Sequence, residues 1–208
     1  MPGLVNAHPH SSEMPFRGRY ERMVLETWLN QAYLFFAAEP VSLRLLYLRT
    51  MLVAIESVRN GETMISDDLF DPPRHDIERL GTVFQAYGDI GLRANVSFGL
   101  MNLPYLDTLA FGREVEPPEV QARLDFPLMT AAACVRYCDE VLRHLHGQHG
   151  RRLCFMLAPS GPQRCSPDLV LACRDMSQAH GVPCHTHVLE IRVQDVTGEL
   201  LFGGSLVR

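Results

Sequence analysis

The sequence predicts an α/β fold built on a parallel sheet, and three observations carry that expectation. Short apolar segments alternate with longer segments at helical spacing along the chain, a pattern that implies parallel strands joined by right-handed crossovers. The apolar run at 153–157 is continuous rather than alternating, as in a strand covered on both faces. Turn and cap residues such as Asn60-Gly61 and Gly181 fall where the pattern changes. A (β/α)8 barrel and an open doubly wound sheet both satisfy these constraints. No G-x-G-x-x-G turn follows any strand, which removes the commonest reason to prefer a dinucleotide-binding sheet.

Taken in order, residues 4–7 form the first short strand. Residues 25–38 and 42–59 read as helices. The second presents Leu45, Leu48, Leu52 and Ile55 at helical spacing, widened by Leu46, Met51 and Ala54, as the face expected to be buried. Residues 63–66 form strand two, and 77–87 a short helix closed near Gly88. The β-branched and aromatic run at 93–98 is strand three. A loop rich in proline and glycine spans 100–118. The next helix, 128–146, is expected to bury Val135, Cys138, Leu142 and Leu145, and 153–157 is strand four. Ser166 caps the following helix with Pro167 at its first position. Its buried face is Leu169, Ala172, Cys173 and Met176, and residues 182–187 form strand five.

With 208 residues, 47% of them hydrophobic, the chain is long enough to bury a core. The formal net charge is −5 without a block of like charges, so a nucleic-acid partner is not expected. Arg17, Arg19 and Arg22 read as a solvated loop. No apolar run is long enough to span a bilayer, and no signal peptide is evident. The six cysteines include no C-x-x-C pair. They read as reduced, mostly buried thiols of a cytoplasmic protein rather than a structural zinc site. Trp28, Tyr33, Phe35 and Phe36 read as core or subunit contact.

Two clusters carry chemistry. His8-Pro9-His10 ends the first strand, and on a strand residues two apart point the same way. Two imidazoles therefore converge at the carboxyl edge, where barrel enzymes place their sites, and imidazole suits zinc and related divalent ions. His185-Thr186-His187-Val188-Leu189-Glu190 ends the last strand. A carboxylate such as Glu190 there can take a proton from metal-activated water and pass it on. Asp67 and Asp68, at the end of strand two, read as partners that orient a ligating histidine or as loop caps. His144, His146 and His149 read as solvated histidines at a helix end.

The opening Met1-Pro2-Gly3-Leu4-Val5-Asn6-Ala7-His8-Pro9-His10 resembles the first-strand motif of the amidohydrolase superfamily, with Pro9 where threonine or a similar residue is usual. The resemblance is strongest to the branch of cytosine deaminases, S-adenosylhomocysteine deaminases and triazine hydrolases. The stretch from Ala158 through Ser166 resembles that branch's fourth-strand loop, and His187 to Glu190 its fifth-strand H-x-x-E. The resemblance implies a partial (β/α)8, TIM-like barrel: strands one to five with their helices, over residues 1–208.

It implies His8, His10 and His187 as metal ligands, with His185 as second choice, and Glu190 as the catalytic proton shuttle. Gln163 and Arg164 would read the substrate. The cofactor implied is a divalent metal, zinc first, with iron or manganese as alternatives. The activity implied is hydrolysis of a non-peptide carbon–nitrogen bond in a small molecule, in the form of deamination of a nitrogen heterocycle, and homo-oligomers are common in the branch. The family pattern also includes a histidine after strand six, an aspartate after strand eight and β-sandwich segments. None of these is assignable here, so a truncated chain that at most binds metal is the alternative expectation.

Overall fold

The structure, a computed structural model, describes residues 1–38, 40–71 and 76–207, the backbone alone over 33–38. Tyr33, Phe35 and Phe36 of the expected aromatic group thus lie outside the described side chains. Strand β1 (Leu4–Asn6) leads through a 3-10 turn (Ser11–Phe16) to helices α1 (Leu25–Ala38) and α2 (Leu43–Arg59). Strand β2 (Glu62–Leu69), α3 (Ile77–Ile90) and β3 (Arg93–Leu100) follow. The segment after β3 contains a 3-10 turn (Tyr105–Thr108), α4 (Gly112–Val115) and α5 (Pro118–Leu124). Then come α6 (Ala131–His144), the single turn α7 (Gln148–Arg151), β4 (Leu153–Phe155), β5 (Ala158–Pro159), α8 (Pro167–His180) and α9 (Arg192–Phe202).

All strand pairings are parallel, in the order β1-β2-β3-β4, with β5 pairing the far end of β3. This is the half-barrel of a TIM-like fold. Its core lies between the sheet and α2, α3, α6 and α8, around Ile65, Phe84, Val96, Phe155 and Leu169. Local sequence sets the helix ends. Ser42, Asp76, Thr130 and Ser166 each accept a hydrogen bond from a first-turn N–H. Among the described residues no helix is long and apolar enough to cross a membrane.

Four expectations are corrected. Strand four breaks after Phe155, and residues 182–187 form no strand: a single parallel bridge joins Leu157 to Cys184. Leu157 N donates to Pro183 O at 2.9 Å and His185 N to Leu157 O at 2.9 Å. The segment therefore runs where a fifth strand belongs, and its pairing is too short to be one. Helix α2 buries one margin of the expected face and not its centre: Leu46 and Ala54 are buried together with Arg49, Thr50 and Ser57, whereas Leu45, Leu48, Leu52 and Ile55 are 40–54% exposed. Finally, α3 runs through Gly88 and ends at Gly91 in the left-handed conformation. Gly88 lies inside the helix beneath the exposed His149 ring, whose Nε2 is 2.6 Å from where a Cβ would sit.

Candidate metal centre

The His8–His10 segment is stitched to the end of β2. Asp68 N donates to Pro9 O at 3.0 Å, and Phe70 N donates to Ser12 Oγ at 3.3 Å. Ser11 donates twice to the buried Asp67, from N at 2.8 Å and Oγ at 2.6 Å, and Tyr87 OH donates to the same carboxylate at 2.9 Å. His10 Nδ1 lies 2.7 Å from Asp68 O. A carbonyl only accepts, so Nδ1 carries the proton and the Nε2 lone pair faces away from β2. The two residues, two apart, project to the same side, with Nε2 atoms 3.1 Å apart.

His187 arrives from the opposite side. Its N donates to Ser160 O at 3.2 Å and its Nδ1 lies 3.1 Å from the same carbonyl, which again leaves Nε2 as the free lone pair. Gly161 permits this approach: a Cβ there would lie 3.1 Å from His187 O and 2.8 Å from Gln163 Oε1. His187 Nε2 is 3.1 Å from His8 Nε2 and 3.3 Å from His10 Nε2. These three residues form a group that could hold a metal ion. The spacing fits one: ligands about 2.0–2.1 Å from a tetrahedral zinc lie about 3.3–3.4 Å from one another. The donor set fits as well, since imidazoles with the outer nitrogen tied to a carbonyl are typical ligands.

Burial lowers His8 to about 4, and the neighbouring His10 and His187 push it the same way. Burial likewise lowers His187. Burial also works against a charge on His10, but Glu13, the Asp68 carboxylate and the Asp68 carbonyl outweigh it and raise the group. Burial would raise Asp68, yet the His185 hydrogen bond and the facing imidazoles hold it below the ordinary carboxylate range.

A cavity of about 360 Å³ opens beside the three imidazoles. Leu25, Trp28 and Leu29 of α1, with Phe70, form its apolar wall, and Glu13, Asp68, Arg164 and Glu190 supply polar groups. Glu190 reaches the cavity through a kink at Leu189, whose φ of 53° is left-handed and unusual for leucine. Gln194 then holds Glu190, with Nε2 donating to Glu190 Oε2 at 3.2 Å. Arg164 lines the cavity, with its guanidinium 6.0 Å from the centre of the Tyr105 ring. Gln163 is buried behind it and is not among the lining residues. His185 stands apart from the three-nitrogen group: its Nε2 lies 3.2 Å from Ser97 Oγ and 3.6 Å from Asp68 Oδ2. Sequence reasoning missed Glu13 and Ser97 altogether; Trp28, expected as core or subunit contact, packs partly buried against the cluster around Leu29 and also lines the cavity. The i, i+3, i+4 spacing of Leu25, Trp28 and Leu29 was the available signal for a shared face.

The amidohydrolase family profile matches residues 1–195. The 5-methylthioadenosine/S-adenosylhomocysteine deaminase of Symbiobacterium thermophilum is 28% identical over 208 residues, which is 100% of this chain and 41% of the relative. The triazine hydrolase of Arthrobacter aurescens superposes with a TM-score of 0.84 at 21% identity, covering 100% of this chain and 44% of its own. The atrazine chlorohydrolase of A. aurescens TC1, solved with zinc, superposes with a TM-score of 0.83 at 21% identity, covering 100% and 45%. The chain thus spans about two fifths of the length of such relatives. A profile match over nearly the whole sequence, together with this shared architecture, means that the chain belongs to the amidohydrolase family.

Proposed function

We propose that residues 1–208 form the metal-binding part of an amidohydrolase barrel that deaminates a nitrogen heterocycle. The convergence of the His8, His10 and His187 Nε2 atoms beside a small, half-apolar cavity is the observation that carries this reading. The three imidazoles would hold a divalent ion. Zinc is the first expectation, because an all-imidazole set suits it and the atrazine chlorohydrolase neighbour was solved with zinc; iron and manganese are the alternatives. When bound, such an ion supplies Lewis acidity and a water acidic enough to ionise near neutral pH.

The chain's own residues do the rest. Glu190, oriented by Gln194, takes a proton from the attacking water and returns it to a ring nitrogen or the departing amine. Leu25, Trp28, Leu29 and Phe70 cover the ring faces and exclude bulk water. Arg164 reads the substrate from the cavity wall, whereas Gln163, the other residue expected to do so, is buried and lines no part of it. The working protein is a cytoplasmic homo-oligomer on this reading. The name of the S. thermophilum relative points to adenine nucleosides as the substrates to try first. A second reading, a chain that holds metal without turnover, draws on the two-fifths coverage of the relatives.

Metal analysis after zinc dialysis tests the site. Stoichiometric zinc is expected in the wild type and loss in His8→Ala, His10→Ala and His187→Ala, and equal zinc in all four would remove the site. Ammonia release from a panel of purine nucleosides, pyrimidines and aminotriazines tests the chemistry. Glu190→Gln should lower it by about 10²–10⁴-fold. Zinc binding with no ammonia from any panel member would favour the second reading.

A further inference from the structure

The carboxylate of Asp68 is buried, 2% exposed, and faces the cavity from the end of β2. Ser97 is its register partner on β3, and Ser97 Oγ donates to Asp68 Oδ1 at 2.8 Å. The other oxygen, Oδ2, lies 3.6 Å from His185 Nε2 and 3.8 Å from His187 Nδ1. Ser97 Oγ is also 3.2 Å from His185 Nε2. Asp68, Ser97 and His185 thus form a closed polar triangle at the carboxyl edge of the sheet, drawn from β2, β3 and the fifth segment. The residues flanking the triangle are the three imidazoles of the candidate centre: His10 bonds the carbonyl of the same Asp68, His187 is two residues from His185, and the His8 and His185 ring centres are 5.6 Å apart.

We propose that Asp68 is a positioning residue for the metal centre, acting through His185 and His187. Besides the contact of His187 Nδ1 with Ser160 O, the fifth segment is joined to the sheet by one bridge at Cys184 and a few main-chain bonds. A ligating imidazole on so short a pairing needs a second anchor to keep its nitrogen on target. The Asp68–Ser97–His185 triangle is that anchor: it draws the fifth segment against β2 and β3. It also places a negative charge behind the His187 ring, which favours electron donation from Nε2 to a bound cation. The sequence suggests Asp68 as a partner that orients a histidine but not its route through Ser97 and His185, because the three members are 29 or more residues apart: the parallel register of β2 and β3 pairs the first two, and the fifth segment brings the third.

The proposal rests on the three-histidine reading, so its test reports on both. Cobalt(II) is titrated into the metal-free full chain, with affinity and the visible d–d bands as readouts. Wild type is compared with Asp68→Ala, Asp68→Asn, His187→Ala and Asp71→Asn. Asp71 binds Arg49 and Arg79 away from the site, so Asp71→Asn controls for lost stability. Asp68→Ala should weaken cobalt binding by about 10–100-fold and shift the bands. Asp68→Asn keeps the shape and the bond from Ser97, so it should fall between Ala and wild type. Asp71→Asn should melt lower and bind as wild type. Wild-type affinity and bands in both Asp68 variants, with binding lost in His187→Ala, would overturn this proposal alone. An Asp71→Asn chain weakened as much as Asp68→Ala would overturn it too, by making the effect one of stability. No cobalt binding by wild type, or undiminished binding by His187→Ala, would overturn the three-histidine reading and this proposal with it.

Discussion

Burial pushes the carboxyl of Glu13 up to about 7 from an ordinary 4.5; His10 opposes the shift, and the Asp68, Asp67 and Glu190 carboxylates add to it. The folded chain therefore holds a proton that the unfolded chain releases near 4.5. The sign follows from linkage: this contribution to stability is fully present below about 4.5 and is lost as pH rises through about 7. In the metal-free chain, Glu13→Gln should be relatively more stable than wild type above pH 7. The difference between their thermal midpoints should close as pH falls below 5, and a pH-independent difference would contradict the assignment. At this scale the His8–His10 pair was readable in the sequence because a period of two is enough to place both imidazoles on one side, and His187 was readable from the resemblance of His187–Glu190 to the family's H-x-x-E. Glu13 was not. It follows His10 by three residues in a 3-10 turn, and its approach to the cavity depends on that turn being tied to β2 through Ser11 and Ser12.

Helix α2 shows where element-level reasoning holds and where it inverts. Its extent, its Ser42 cap and its end at Asn60 follow from local sequence, since capping chemistry is local. Its orientation does not. The most regular apolar stripe, Leu45, Leu48, Leu52 and Ile55, stays half exposed. The buried side carries Arg49, which donates to Asp71 Oδ1 at 2.8 Å, and Asp71 also binds Arg79 of α3. Partners from β2's end and α3 let a guanidinium occupy the inner face that apolar periodicity reserves for leucine. Two substitutions separate the alternatives. Leu46→Ala, at a fully buried position, should cost about 2–5 kcal/mol in urea unfolding. Leu52→Gln, 54% exposed, should change stability by no more than about 0.5 kcal/mol. The reverse order would restore the stripe to the core. The fifth strand failed for a related reason: residues 182–187 have strand-like character, but strand assignment needs a neighbour's main chain, and they find it in one bridge at Leu157 and a single bond to Ser160 O.

At the scale of the whole molecule, the alternation of segments made the parallel sheet legible, and the family motifs made it a half-barrel. What composition does not reveal is how the sheet is bounded. Among the described residues β1 pairs with β2 alone, and Leu4 and Val5 are 60% and 62% exposed. An apolar strand with an unpaired row of N–H and C=O groups is a template for pairing with another chain. The half-exposed stripe of α2 adds apolar surface on an element that packs against β2. The 208-residue chain should therefore self-associate as concentration rises. Lysine at an edge position blunts such pairing, because its charge resists burial between strands. Sedimentation velocity over a range of concentrations should show wild type shifting to larger species and Val5→Lys shifting less. Val5 is not a candidate ligand and its side chain is already in solvent, so the variant should melt close to wild type. A wild-type chain that stays monomeric and melts cooperatively at every concentration would mean that the β1 edge is covered, and that the sheet is closed by contacts other than those described.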